Sequence, residues 1–281
     1  MEKFRKILCP VDFSQHSDLA LRYAVALSEQ FHCDLLVYHT IPVSVILAGL
    51  PPAPIVNEPI WQDEVRKMLE DLIAPYHDKK IKVETRLESG DPAVQILRTA
   101  SNEETDLIVM GTHGTSGTDV ILTGSVTNKI LHKTKVPVLV VCKPTKAVLS
   151  GDPDEPLLVG KILCAVDPAH LNLGALSAAM FLARTYHSTL FVITVEDTDS
   201  RQSAVEDLKE LLQPERETDC KIRLLRSQGD PVTQILKAIE EYEVDLAIMG
   251  HHSTFRPFEA LGSVSLRVIP RSKCAVLVVR D

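Results

Sequence analysis

The sequence predicts an α/β fold: two tandem, open, mostly parallel five-stranded sheets flanked by helices. Two observations carry this. Short apolar runs alternate with amphipathic helical stretches, and the whole alternation occurs twice with the same motifs in the same order. KILCPVD at 6–12 returns as KILCAVD at 161–167, and GDPAVQIL at 90–97 returns as GDPVTQIL at 229–236. TDLIVMG at 105–111 is matched by VDLAIMG at 244–250, and VPVLVV at 136–141 by CAVLVV at 274–279. A repeat this long is a duplicated domain, not a solenoid unit. Strand–helix alternation implies right-handed crossovers and a parallel sheet.

Each element of the first copy has its own signal. KILCPVD is a short apolar run suited to a strand buried on both faces. SQHSDLALRYAVALSEQF sets Leu19, Ala20, Tyr23, Ala24, Leu27 and Phe31 on one helical face. DLLVYHT is the second strand. IWQDEVRKMLEDLIAPY is a helix whose expected stripe is Trp61, Val65, Met68, Leu69 and Leu72. KVETRLE is the third strand. Asp91 caps the next helix, with Pro92 in its first turn, where a missing N–H costs nothing. DLIVMG, VTNKILHKT and VPVLVV complete the order as strand, helix and strand.

The copies differ in length. Lys6 and Lys161 are 155 positions apart but Gly90 and Gly229 only 139, so the first copy carries 16 extra residues in between. IPVSVILAGLPPAPIVNEPIW occupies that place; its prolines exclude a regular helix. It reads as a loop packed on its own domain, a lid, or an apolar surface for a partner or lipid-like ligand. KPTKAVLSGDPDEPLLVG lacks a clean period and reads as a linker. The expected division is a first domain at 1–144, a linker at 145–159 and a second domain at 160–281. The apolar terminal strands VPVLVV and CAVLVV would expose sticky edges, so the halves are expected to pack face to face as an intrachain pseudo-dimer. A homodimer and an unidentified protein partner are further expectations.

Composition narrows function. The chain has 281 residues, is 45% hydrophobic and 24% charged, and carries a formal charge of −8. That argues against a general nucleic-acid or anionic-membrane binder. No signal peptide or membrane-length apolar window is visible. The six cysteines form no C-x-x-C pair and mostly sit in apolar runs, so a reducing cytoplasm is expected.

GTHGTSGTDVILTGS at 111–125 runs from the end of a strand to the start of a helix. Backbone N–H groups there can cradle an anion, and the helix dipole favours negative charge. Glycine removes the Cβ that would block close approach. A Gly-rich turn that holds nothing is the competing reading. The stretch is neither a Walker loop nor the G-x-G-x-x-G fingerprint.

Gly111-x2-Gly114-x9-Gly124-Ser125 resembles the nucleotide motif of the universal stress protein family, G-2x-G-9x-G-[ST]. ILCPVD, LLVYHT and VPVLVV resemble that family's first, second and last strands, and the resemblance covers nearly the whole chain, twice. It implies a Rossmann-like fold of the adenine nucleotide alpha hydrolase type, with ATP as ligand and magnesium as an optional companion. Asp12 would then meet the ribose or adenine region with Pro10 and Val11 beside it, and Thr40 would meet adenine. Met110, Gly111, His113 and Gly114 would line the ribose and phosphate side. Gly124, Ser125, Val126 and Thr127 would hold the phosphates. In the second copy, Val166, Asp167, Val195, Gly250, Gly262 and Ser263 stand at the equivalent places. There Ser253 replaces the middle glycine, and Pro257 stiffens a shorter loop. The second site therefore reads as degraded.

No catalytic residue is expected. A general base near the phosphates is not evident, so any ATP turnover should be slow. His113, His132, His251 and His252 lack metal-ligand spacing. The resemblance implies nucleotide-dependent stress signalling. The alternatives are a structural interaction protein without nucleotide, a small-molecule binder for a lipid-like ligand or metal, and a very slow ATPase.

Overall fold

The computed structural model describes residues 3–42, 58–112, 124–142, 157–167, 172–196, 220–251 and 264–280. His113, Gly114, His252, Gly262 and Ser263 lie outside them, as do 43–57 of the inserted segment and 143–156 of the linker. The first half contains β1 (Lys6–Pro10), α1 (Gln15–Phe31), β2 (Asp34–Pro42), α2 (Glu58–Ile73), β3 (Val83–Gly90), α3 (Pro92–Asn102), β4 (Leu107–Gly111), α4 (Ser125–Lys133) and β5 (Val138–Val141). The second contains β6 (Lys161–Val166), α5 (Leu173–Thr185), β7 (Thr189–Glu196), β8 (Lys221–Gln228), α6 (Pro231–Glu241), β9 (Leu246–His251), α7 (Val264–Val268) and β10 (Ala275–Arg280).

The inner strands are apolar throughout because helices cover both faces of the sheet. Alternate residues go to opposite layers. Ile7, Cys9 and Val11 pack with α1, whereas Leu8, Ile108 and Val140 pack with α3 and α4. Each such Leu, Ile or Val contributes about 1.5–3 kcal/mol relative to exposure. The repeated GDP motif has a local cause. Gly90 and Gly229 adopt φ of +146° and +113°, which a side chain would strain. Asp91 and Asp230 then cap α3 and α6 through the amides of Val94 and Thr233.

The α2 stripe needs correction at Met68, and the Trp61 side chain lies outside the described residues. Val65 and Leu69 are buried with Ile73 and Tyr76, but Met68 is 47% exposed. The buried line follows i+4 steps from Val65, and Met68 falls beside it.

The halves do not pack face to face. They share one ten-stranded sheet, in the order β3-β2-β1-β4-β5-β10-β9-β6-β7-β8. β5 and β10 pair antiparallel, with Leu139 opposite Leu277; all other pairs are parallel. Edge pairing satisfies the same need as face packing, since it leaves neither terminal strand with open backbone groups. Next to this seam, Phe31 stacks on Phe181 at 5.5 Å and meets Phe4 edge-on at 4.9 Å. A cavity of about 30 Å³ lies there, lined by residues including Phe4, Tyr23, Leu182, Tyr186 and Asp245, with room for about two waters.

Candidate functional site

Strand order places the crevice. From β1 the chain winds outward to β2 and β3, then returns to the other side of β1 for β4 and β5. The connections leaving β1 and β4 therefore diverge, and the gap between their carboxyl ends is the topological switch point.

The β1 side is a built turn. The Val11 amide donates to Tyr38 O at 2.8 Å, and His39 Nδ1 lies 2.7 Å from Val11 O, so that nitrogen carries the proton. Phe13 adopts φ of +62° and sets its ring 4.7 Å from that of His39. Asp12 Oδ1 accepts from the Ser14 amide at 3.1 Å and the Ser14 hydroxyl at 2.6 Å. Ser14 Oγ in turn accepts from Ser17 N and caps α1. Asp12 is thus fixed by the start of α1, a role that its sequence position left unstated. Pro10 and Val11 are buried beneath it.

The β4 side explains one glycine differently from the sequence reading. A Cβ on Gly111 would lie 2.9 Å from His16 O and 3.0 Å from His16 Cβ. The first turn of α1 rests directly on this residue, so Gly111 has a packing reason to be glycine. Gly250 has the same reason, since its added Cβ would lie 2.7 Å from Asn172 Cβ. Its persistence in the second copy therefore carries no information about a nucleotide.

The far end of the Gly-rich stretch returns to β4. The Gly124 amide donates to Thr112 O at 2.6 Å, and the buried Thr127 hydroxyl donates to Gly111 O at 3.0 Å. Helix α4 therefore begins at the end of β4. Its N-cap is Gly124, which offers no side-chain acceptor. The contrast is internal: Ser14, Asp91, Asn172 and Asp230 each cap a helix with a side-chain oxygen. At α4 the orphan donors of the first turn lack that partner. Ser125 is exposed and Val126 half-buried; Met110 is buried under the crevice.

Thr40 is 6% exposed at the end of β2, and its Oγ1 makes no hydrogen bond. The nearby Tyr38 hydroxyl is committed to Glu88 at 2.9 Å, and Arg98 holds the same carboxylate oxygen at 2.7 Å.

In the second half the crevice is built otherwise. Helix α5 starts at Leu173, three positions later in the repeat than α1. Asn172 accepts the Ala175 amide at 2.6 Å and donates Nδ2 to Val279 O at 3.3 Å, setting its side chain against Gly250. Asp167 is exposed, whereas Asp12 is half-buried. Val166 is buried and Val195 partly buried. Asn172 was missed from the sequence, although N-L-G-A ahead of an apolar helix is a capping signal.

All six cysteines are free and buried, and burial pushes the Cys9 and Cys164 thiols up, so neither is a ready nucleophile. Among the described residues, no group of three or more His, Cys, Asp or Glu is arranged to hold a metal ion. Among the same residues, no helix is long and apolar enough to cross a membrane.

Fold and strand order together define a duplicated, doubly wound α/β protein with a topological switch point in each half. The chain belongs to the universal stress protein family, which matches residues 3–142 and again 159–280. A universal stress protein of Methanocaldococcus jannaschii is 32% identical over 146 residues, 51% of this chain and 85% of that one. One from Bacillus subtilis is 30% identical over 146 residues, 49% of this chain and 99% of that one. The fold of the whole chain matches a crystal structure of a universal stress protein from Archaeoglobus fulgidus. Its TM-score is 0.77 at 24% identity, covering 99% of this chain and 98% of that one.

Proposed function

We propose that the first half binds ATP at the β1/β4 crevice and that the protein is a nucleotide-dependent module of stress signalling. The observation that carries this reading is the bare N-cap Gly124. Four other helices are capped by their own side chains, while α4 begins at the switch point with an N-cap that supplies no side-chain acceptor. A polyphosphate supplies the missing acceptor, and the α4 dipole favours its charge.

Asp12, held through Oδ1, presents its carboxylate to the ribose, with Pro10 and Val11 as the floor. Thr40, buried at the end of β2, stands beside the base. Met110, Gly111, His113 and Gly114 line the sugar and phosphate path, and the amides of Ser125, Val126 and Thr127 hold the phosphates. Magnesium is an accessory here, because backbone N–H donors supply most of the phosphate contacts. The second crevice (Val166, Asp167, Val195, Gly250, Gly262, Ser263) does not bind nucleotide, since its motif has Ser253 for the middle glycine and Pro257 in a shorter loop. Domain limits of 1–144 and 160–281 and a cytoplasmic location complete the reading; the free cysteines support a reducing compartment.

Mass spectrometry of ligand released from the purified protein, followed by calorimetry with ATP, tests this. One site per chain is expected. No retained nucleotide and no heat of binding would leave a nucleotide-free interaction protein as the better reading.

A further inference from the structure

Helix α4 has a second anchor, and it comes from the other half. Arg280, the last residue of β10, donates Nη1 to His132 O at 2.8 Å and to Thr134 O at 3.2 Å. His132 lies in the last turn of α4 and Thr134 is its C-cap. A guanidinium there satisfies orphan carbonyls and sits at the negative end of the helix dipole. The duplicated position in the first half is Cys142, since VPVLVV-Cys142 aligns with CAVLVV-Arg280. Cys142 reaches back in the same way, with Sγ 3.1 Å from Ile269 O, just after α7. Each half therefore caps the other's last helix, but unequally. A thiol is a weak donor, whereas Arg brings charge and several N–H groups. The strong cap falls on the helix that begins at the intact motif.

We propose that Arg280 is a positioning residue for the first crevice, through which the second half sets nucleotide affinity. The proposal rests on the nucleotide reading above. α4 has nine residues, so it spans about 13 Å as one rigid rod. Its C-terminal end is held by Arg280, and its N-terminal end by the Gly124–Thr112 and Thr127–Gly111 hydrogen bonds. Arg280 is also paired in register with His251, and Val279 with Gly250, so it stands at the carboxyl end of β9, one strand from the second crevice. Whatever displaces Arg280 there loosens α4 and weakens phosphate binding at its other end. A second half with a decayed motif thus keeps an effect on the first.

The test uses the full chain. Arg280→Ala should weaken ATP binding by calorimetry roughly two- to fivefold, the range for a cation at a helix C-terminus. Arg280→Lys keeps the charge and should recover part of that loss. Amide exchange gives an independent reading. Arg280→Ala should speed exchange not only near Thr134 but also at Asn128, bonded to Gly124 O at 2.9 Å, and at Gly124 itself. Unchanged ATP affinity with exchange faster only at residues 131–134 would overturn the proposal. If wild-type protein takes up no ATP, the nucleotide reading fails on its own. Exchange at Gly124 and Asn128 then decides the coupling: acceleration there supports it, and none refutes it.

Discussion

Thr112 and Gly124 are joined by a 2.6 Å hydrogen bond from the Gly124 amide to the Thr112 carbonyl, so the chain that leaves β4 comes back to it before α4 starts. Gly124 has φ −51° and ψ 146°, a conformation open to any residue. Its glycine is therefore not required by backbone strain, and its distinguishing feature is the missing side chain.

Gly124→Asp separates stability from binding. Aspartate is a preferred N-cap, so the ligand-free protein should gain a few tenths of a kcal/mol and melt no lower than wild type. ATP binding should fall by about 2 kcal/mol or more, since the carboxylate takes the first-turn amides and repels phosphate. Thermal melts alongside calorimetry check both halves of the statement. A lower melting temperature with intact binding would contradict it.

Gly111→Ala should destabilise by about 1–3 kcal/mol through overpacking, because its new methyl meets the His16 backbone, which cannot swing away. Gly250→Ala should cost as much, since its methyl would lie 2.7 Å from Asn172 Cβ, which no side-chain rotation moves. Urea midpoints of both variants should fall by similar amounts, and an unchanged midpoint in either would contradict the packing reason.

Thr127→Val keeps shape but removes the donor to Gly111 O. A buried carbonyl left unpaired costs about 1–3 kcal/mol. The loss should appear in chemical unfolding without nucleotide, and a neutral result would mean that the bond does not anchor α4.

Asp245 gives a pH signature. Its Oδ2 accepts the amides of Gly160 and Lys161, both at 2.9 Å, as Asp106 does for Arg5 and Lys6 in the first half. Asp106 also pairs with the Arg5 guanidinium at 3.5 Å; Gly160 stands at that place in the second half. Burial holds the Asp245 carboxyl above the usual range. Since the folded state prefers the protonated form, this group's stability contribution is complete below the unfolded pKa and is lost as pH rises through the raised folded value. Asp245→Asn, which keeps an acceptor oxygen, should therefore raise the melting temperature at pH 7 relative to wild type, with the gap narrowing towards pH 4. A pH-independent gap would sink the assignment.

The alternation of strands and helices was legible because runs such as KILCPVD and DLIVMG are apolar on both faces, which fits only an inner strand under two helix layers. The caps Asp91 and Asp230 were legible from GDP followed by an apolar run. The seam was not. VPVLVV and CAVLVV read the same whether their edges pair with each other or are covered from a face, because hydropathy reports burial and not the hydrogen-bonding partner. The packing role of Gly111 was hidden for a related reason. A glycine at a strand end records that something comes close, and the sequence does not say whether that is a phosphate or the backbone of His16. Arg280 was invisible as a cap because its acceptors lie 146 and 148 residues away.

The antiparallel pairing of β5 with β10 fixes a final consequence. All strands of one half run parallel to β5 and all strands of the other run parallel to β10, so the carboxyl ends of the two halves point to opposite poles. The two crevices thus open back to back, one at each pole. The approach to one crevice therefore does not cross the approach to the other.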